Sequence, residues 1–332
     1  MSPSDSTLPI QRVRAIVELA ERRGWDVAGM LAEAGISPEL LAEGRSRVTT
    51  AQAVEMVQRL WRTTDDELLG LGLHPMPRGT LRLLCFGLVG ASTLGGAIRR
   101  FESFRRSLPG LPPPSLTLHE GEARVSFDIS GVRQPVDIVI DTVLTVTHRF
   151  LAWAIGGRLR LRRVEVPYAR DPDLDDYDVI FGAPVVFSAP TPALVFDAAL
   201  LDHPIDRTED ELLEFLSNAP AAVLGPREYS VSLASRVRQL LERGRPDDWP
   251  TVEELAAELA MSPQTLRRKL REEHTTPREI REQILRDMAV ASLVRGDETV
   301  TALSRRLGFS EPSAFSRAFR RWTGSAPGSY QR

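Results

Sequence analysis

Apolar positions recur at helical spacing from the start of the chain. Ile10, Val13, Ile16, Val17 and Ala20 share one helix face, and Val54, Val57 and Leu60 resume the pattern after Thr50, placed as an N-cap. Short helices are therefore predicted from about Pro9 to Leu73. Thr80–Gly90 predicts an apolar helix. Ser92 or Thr93 would cap the next, which carries Leu94, Ile98, Phe101, Phe104 and Leu108 until the PGLPPP stretch at 109–114 breaks it. The pattern then alternates. Leu116 and Leu118 precede Glu120-Gly121, and Val125, Phe127 and Ile129 follow it, which predicts a hairpin. Val136–Ile155 predicts a long helix, Arg162–Tyr168 a strand and Leu174–Phe181 a short helix. Val185–Phe187 and Leu194–Phe196 predict two short strands, and Thr208–Leu216 a helix with an acidic first turn. SNAPAAVLGPREY, residues 217–229, reads as a linker. Beyond Ser230 strand signals vanish and helical spacing takes over. The pattern predicts an α+β domain over residues 1–216, a linker over 217–229 and an all-α domain over 230–332.

The all-α part contains a repeat. Thr251, Val252, Leu255, Leu259 and Ser262 match Thr299, Val300, Leu303, Leu307 and Ser310 at an offset of 48. One inserted residue then shifts the offset to 49, pairing Leu266 with Phe315 and Leu270 with Phe319. Each copy reads as a short helix, a tight turn and a second helix opened by a serine cap, which is helix-turn-helix grammar. Gly308 takes the turn in the second copy and Ala260 in the first, where a left-handed backbone implies strain. Leu266 and Leu270 face inward in copy one, and Phe315, Ala318, Phe319 and Trp322 in copy two. Gln264, Arg267, Arg268 and Arg271 face outward in copy one, and Ser313, Ser316, Arg317 and Arg320 in copy two. Arginine forks onto guanine, glutamine onto adenine, and serine accepts several bases. A single such face reads as solvated surface. Two in register, with Arg268 and Arg317 at one helical position, favour DNA contact. Between the copies Pro277–Val294 forms one helix of about 27 Å, with Ile280, Ile284, Met288 and Ala291 on one side. That length sets the second helices about one duplex turn apart, in successive major grooves.

The motifs EELAAELAMSPQTLRRKL and ALSRRLGFSEPSAFSRAFRRWTGSAPGSY resemble the two-motif DNA-binding domain of the AraC/XylS family of bacterial transcription regulators. The string GFSEPSAFSRAFRRWTG, with Pro327 and Tyr330 after it, is the more specific of the two. The resemblance implies that Gln264, Arg267 and Arg268 read bases from the first recognition helix, and Ser313, Ser316 and Arg317 from the second. His274 stands where family members usually have glycine. The segments GASTLGGAIRRFESFRR, FLAWAIGGRLRLRRVEVPYARDPDLDDYDVIFGAPVVFSAP and ALVFDAALLDHPI resemble the subgroup with an arabinose-binding-like effector domain. The resemblance implies an effector-responsive regulator of promoter or operator DNA, with RNA polymerase as a further partner. The label does not make arabinose the effector, and activation versus repression stays open.

Composition and charge fit that picture. The 332 residues are 42% hydrophobic and 26% charged, an ordinary globular composition. The net charge of −3 is uneven: residues 227–332 hold 19 basic against 15 acidic residues, and residues 1–226 hold 23 against 30. A basic module on an acidic body suits a nucleic-acid partner. The first residues carry Asp5, Arg12 and Arg14 without an apolar run, so no secretory leader is expected and the cytoplasm is the expected location. Leu83–Ile98 and Val179–Phe196 are uncharged, but glycine and serine in one and three prolines in the other argue against membrane spans. Cys85 is the single cysteine, in an apolar run, so neither a disulfide nor the cysteine chemistry of DNA-repair methyl acceptors is expected. The acidic run Asp171, Asp173, Asp175, Asp176 and Asp178 lacks the glycine and glutamate of a calcium loop, and the five histidines lack zinc spacing. No metal, cofactor or catalytic constellation is expected, and the chain is not read as an enzyme. An architectural DNA-binding protein would leave the 200-residue acidic part without a role. His148, Trp153 and Tyr168 are the candidate effector-pocket residues, against the plainer reading of packed core side chains. Homodimerisation through the same domain is a further expectation.

Overall fold

The computed structural model describes residues 6–72, 74–132, 136–157, 159–171, 174, 176–217, 232–273 and 275–331. Its elements begin with β1 (Thr7–Pro9), α1 (Ile10–Arg22), α2 (Val27–Ala34), α3 (Pro38–Ala42), β2 (Arg47–Thr49) and α4 (Thr50–Thr64). There follow α5 (Thr80–Val89), α6 (Leu94–Ser103), β3 (Pro114–His119), β4 (Glu122–Phe127), α7 (Val136–Ala154) and β5 (Leu161–Glu165). Next come α8 (Tyr177–Phe181), β6 (Val185–Val186), β7 (Ala193–Asp197) and α9 (Glu209–Ser217). The C-terminal part holds α10 (Leu233–Glu242), α11 (Val252–Glu258), α12 (Pro263–Glu272), α13 (Pro277–Arg295), α14 (Val300–Arg306) and α15 (Pro312–Thr323). The architecture is thus mixed α/β towards the N-terminus and helical in the C-terminal helix-turn-helix part.

Contacts divide the chain into two units. One joins Met1–Ala53, Asp173–Val179 and Ser230–Arg332; the other joins Val54–Pro172 and Ile180–Tyr229. This grouping differs from the sequence reading, which kept residues 1–53 with the α+β part. The cause is a two-stranded ribbon that hydropathy does not reveal. β1 pairs antiparallel with β2, Thr7 opposite Thr49 and Pro9 opposite Arg47. Three-residue strands, 38 residues apart by that pairing, carry no alternation long enough to read. The ribbon bonds to α13 through the Thr7 hydroxyl, which donates to Asp287, and to Tyr330 through the Arg47 backbone N–H. The cap of α4 also shifts by one. Thr49 Oγ1 accepts from Gln52 N at 3.2 Å, and Gln52 Oε1 accepts from Thr49 N at 3.0 Å, a capping box one residue before the expected Thr50. All but Ser217 of the expected linker, and His274, lie outside the described residues.

The α/β unit is built on a five-stranded sheet of order β3-β4-β7-β5-β6, antiparallel except for β5–β6. Central β7 buries Ala193, Leu194, Val195 and Phe196. The β3–β4 hairpin turns at Glu120 and Gly121, φ +47° and +76°, the two positive values that a tight two-residue turn requires. Arg124, Arg162 and Arg163 pair with Glu165, Asp197 and Glu122 at 2.8–3.0 Å, which makes one sheet face polar.

In the helical part, the first motif closes over a core of Leu233, Val237, Leu241, Leu255, Leu259, Leu266, Leu270, Ile280 and Ile284. The second closes over Phe315, Phe319 and Tyr330, with Phe309 and Trp322 edge-on beside them. Both turns share one geometry. Met261 N donates to Ala256 O and Phe309 N to Ser304 O, each at 2.9 Å, after residues at φ +55° (Ala260) and +83° (Gly308). A Cβ at Gly308 would meet nothing within 4 Å, so the penalty for a side chain there is one of backbone conformation alone, and Ala260 carries the same left-handed conformation. Ala260→Gly is expected to stabilise the protein by about 0.5–1 kcal/mol in urea denaturation, and Gly308→Ala to destabilise it by a similar amount. A neutral or destabilising Ala260→Gly would contradict the strain.

Candidate nucleic-acid interface

The first motif is shaped by its caps. Thr251 and Glu254 form a capping box on α11: Thr251 N donates to Glu254 Oε2 at 2.7 Å and Glu254 N donates to Thr251 Oγ1 at 3.2 Å. The Thr251 backbone N–H holds the Glu254 carboxyl below the usual range. Ser262 caps α12, its hydroxyl accepting from Thr265 N at 3.1 Å, with Pro263 at the first helical position. The second motif departs from expectation here. Ser310 is not the cap of α15; Glu311 holds that position without a side-chain bond, and Pro312 follows. The inserted residue in the repeat falls at this corner, which is why Pro263 aligns with Pro312 at the offset of 49.

Both second helices divide as the repeat predicts. Leu266, Leu270, Phe315 and Phe319 are fully buried. Gln264, Arg267, Arg268 and Arg271 are exposed on α12; Ser313, Arg317 and Arg320 are exposed on α15, with Ser316 half-buried. Trp322 is half-buried, and its Nε1 has no hydrogen-bond partner. Arg268 Nη1 bonds Glu272 Oε1 at 2.5 Å, and Arg267 Nη2 reaches Glu253 Oε1 at 3.3 Å. Both pairs stand in solvent, where such bonds contribute about 0–1 kcal/mol, so a phosphate or a base edge can replace the carboxylate. Arg271, Arg317 and Arg320 have no ion-pair partner among the described residues. Ser313 donates to Glu311 Oε2 at 3.1 Å, and Ser316 donates back to Pro312 O at 2.9 Å, leaving its oxygen open as an acceptor. Two exposed basic residues were not singled out from sequence. Lys269 lies between the outward arginines, and Arg321 pairs with Glu282 of α13 at 3.5 Å. Their charge on a basic helix was the available signal.

The candidate effector residues sit in different surroundings of the α/β unit. His148 is fully buried, with Nε2 3.2 Å from Leu159 O. Trp153 stacks on Phe215 at 4.8 Å, with the Arg207 guanidinium 5.1 Å from its ring. The Tyr168 hydroxyl donates to buried Asp141. Burial pushes the nearby Asp137 carboxyl up, and the Asp141 and Asp171 carboxylates add to the shift. In the other unit a cavity of about 320 Å³ lies between Leu31, Ile36, Leu40 and Gln52 on one side and Val294 and Tyr330 on the other. Its lining carries no charged side chain. Burial pushes the Cys85 thiol up to about 12, so it is not a reactive nucleophile. Among the described residues no cluster of His, Cys, Asp or Glu could hold a metal, and no helix is long and apolar enough to cross a membrane.

Two such motifs joined by one helix define a helix-turn-helix regulator of the two-motif type. The family described as the arabinose-binding domain of AraC transcription regulators matches residues 24–205, and the helix-turn-helix domain matches residues 255–332. The chain belongs to the AraC family of transcription regulators, a family of DNA-binding proteins and not of enzymes. It is similar to the ornithine utilization regulator of Pseudomonas aeruginosa, 23% identical over 98% of this chain and 96% of that one. It is similar to an uncharacterized HTH-type transcriptional regulator of Mycobacterium tuberculosis, 27% identical over 99% and 98% of the two chains. Among solved structures, the transcriptional regulator CdpR from Pseudomonas aeruginosa matches 91% of this chain and 95% of its own, at 22% identity and a TM-score of 0.32.

Proposed function

We propose that this chain is a sequence-specific transcription regulator that places α12 and α15 in successive major grooves. The observation that carries the reading is the matched pair Arg268 and Arg317. Both are exposed, at one helical position, opposite leucine or phenylalanine side chains with no exposure. Gln264, Arg267, Ser313 and Ser316 complete the base-facing set, while Arg271 and Arg320 lie further along, suited to phosphates. α13 has 19 residues, a span of about 28 Å, somewhat less than one duplex turn of about 34 Å, so helices at its two ends can reach neighbouring major grooves on one duplex face. RNA polymerase is the expected partner at the promoter, and the cytoplasm the expected place of action. Dimerisation belongs to the α/β part in this reading.

The test is selection of sites from a random duplex pool by the full-length protein. Arg268→Ala and Arg317→Ala are each expected to cost about 1–3 kcal/mol on the selected site, and to relax one base pair each, about 10 bp apart. Wild-type affinity should fall steeply between low and moderate salt. If Arg317→Ala weakens selected and random DNA equally, the second motif only grips phosphate.

A small-molecule effector acts through the α/β unit, and of His148, Trp153 and Tyr168 it is Tyr168, bonded to Asp141, that stands at its site. The name of the Pseudomonas relative makes ornithine the first compound to test. A cationic amino acid suits the carboxylates of Asp137, Asp141 and Asp171, whose mutual repulsion it would relieve. It does not suit the uncharged cavity beside Tyr330. A melting-temperature shift with ornithine, lost in Asp141→Asn, supports this placement; no shift with any amino acid removes it.

A further inference from the structure

The last turn of an α-helix leaves four carbonyls without intrahelical partners. α15 meets part of this demand at its own end. Gly324 N donates to Arg320 O at 2.9 Å, while Thr323 Oγ1 adds a bond to Phe319 O, one residue before the last four, at 3.0 Å. Two more carbonyls are met from the other end of the chain. Arg45 Nη1 donates to Arg321 O at 3.2 Å, and the Ser46 hydroxyl donates to Thr323 O at 3.3 Å. Arg45 also brings a cation to the negative end of the helix dipole. Ser46 is buried, its hydroxyl 3.4 Å from Ser325 Oγ, and Arg47 N donates to the Tyr330 hydroxyl at 3.0 Å. At Gly324 the backbone, φ +74°, is what favours glycine, and the Glu43 carboxylate lies over the same helix end, as the far end of a flexible side chain.

The same segment is tied to α13. Arg47 Nε lies 3.5 Å from Asp287 Oδ1 and donates to Thr7 Oγ1 at 2.6 Å, and Thr7 Oγ1 donates to Asp287 Oδ1 at 2.5 Å. α12 ends differently, within its own motif: Thr275 N donates to Leu270 O at 2.9 Å and Glu273 N to Lys269 O at 3.1 Å.

We infer that residues 43–47 are a positioning element for the second recognition helix alone. They cap the C-terminal end of α15, hold it to α13, and so fix the direction in which Ser313, Ser316 and Arg317 face a duplex. The inference rests on the DNA reading above for its consequence, though not for the cap itself.

The test uses full-length wild type, Arg45→Ala, Ser46→Ala and Arg45→Lys. Arg45 is exposed, so its removal leaves the cores intact. Hydrogen exchange is followed in residues 312–323 and 263–272. Exchange in the last two turns of α15 is expected to quicken about fivefold to tenfold in Arg45→Ala, the size of one lost hydrogen bond, with α12 unchanged and Arg45→Lys close to wild type. In site selection, base preference should relax in the half read by α15 and hold in the half read by α12. Unchanged exchange in α15, or an equal rise in both helices, overturns the cap whether or not a site is selected. Faster exchange with both half-sites read as before overturns the positioning role. A wild type that selects no two-part site defeats the DNA reading instead, and the exchange results then decide the cap by themselves.

Discussion

Asp287→Ala is expected to destabilise the protein by about 3–5 kcal/mol, the range for removing one partner of a buried charge cluster. The carboxylate is buried on α13 and faces three guanidinium groups: Arg47 and Arg286 at 3.5 Å, and Arg238 at 3.7 Å. It also accepts the Thr7 hydroxyl. Side chains of all three arginines are at most 16% exposed, so their repulsion is poorly screened once the carboxylate is gone. Asp287→Asn keeps the shape and removes the charge, so it should lose most of the same stability. Urea denaturation of the full chain measures both. A loss below about 1 kcal/mol in Asp287→Ala would mean that water solvates the cluster.

Phe319→Ala is expected to cost about 3–5 kcal/mol, as for other fully buried aromatic truncations. The ring has no exposure, lies 5.7 Å from Phe315 and meets Tyr330 edge-on at 5.2 Å. Leu266→Ala removes a smaller buried side chain from the first core and should cost about 2–5 kcal/mol. Differential scanning calorimetry distinguishes the two cores, because each variant should lower the melting of its own motif first. An unchanged transition in Phe319→Ala would place the ring in a site able to collapse without penalty.

The helix-turn-helix repeat was legible because its signals are local. Serine and threonine caps, a left-handed turn and a 3.6-residue apolar stripe all fall within about 20 residues. The hairpin at Glu120-Gly121 and the helix over Val136–Ala154 were legible for the same reason. The cap of α15 was misplaced by one residue because Ser310 suits an N-cap by residue type, whereas Glu311 takes the position without a side-chain bond; the position of Pro312 was the better guide. The grouping of residues 1–53 with the C-terminal part was not legible. It rests on bonds such as Thr7–Asp287 and Ser46–Thr323, made by common polar residues whose partners lie 280 and 277 positions away. Hydropathy has no period that reaches so far. The outward face of α12 and α15 was legible as exposure, whereas the glutamates that hold Arg267 and Arg268 needed coordinates.

The Thr7–Asp287 bond also sets a clock for the chain's birth. β1 leaves the ribosome 280 residues before the helix that holds its partner. At about 5–20 residues per second β1 waits roughly 15–55 s for α13. All of Val54–Pro172 and Ile180–Tyr229 is synthesised in that interval, so the α/β unit can fold first. The unit that holds both recognition helices closes only once Tyr330, the partner of Arg47, has been made. A nascent chain therefore exposes no finished DNA-binding surface before that point.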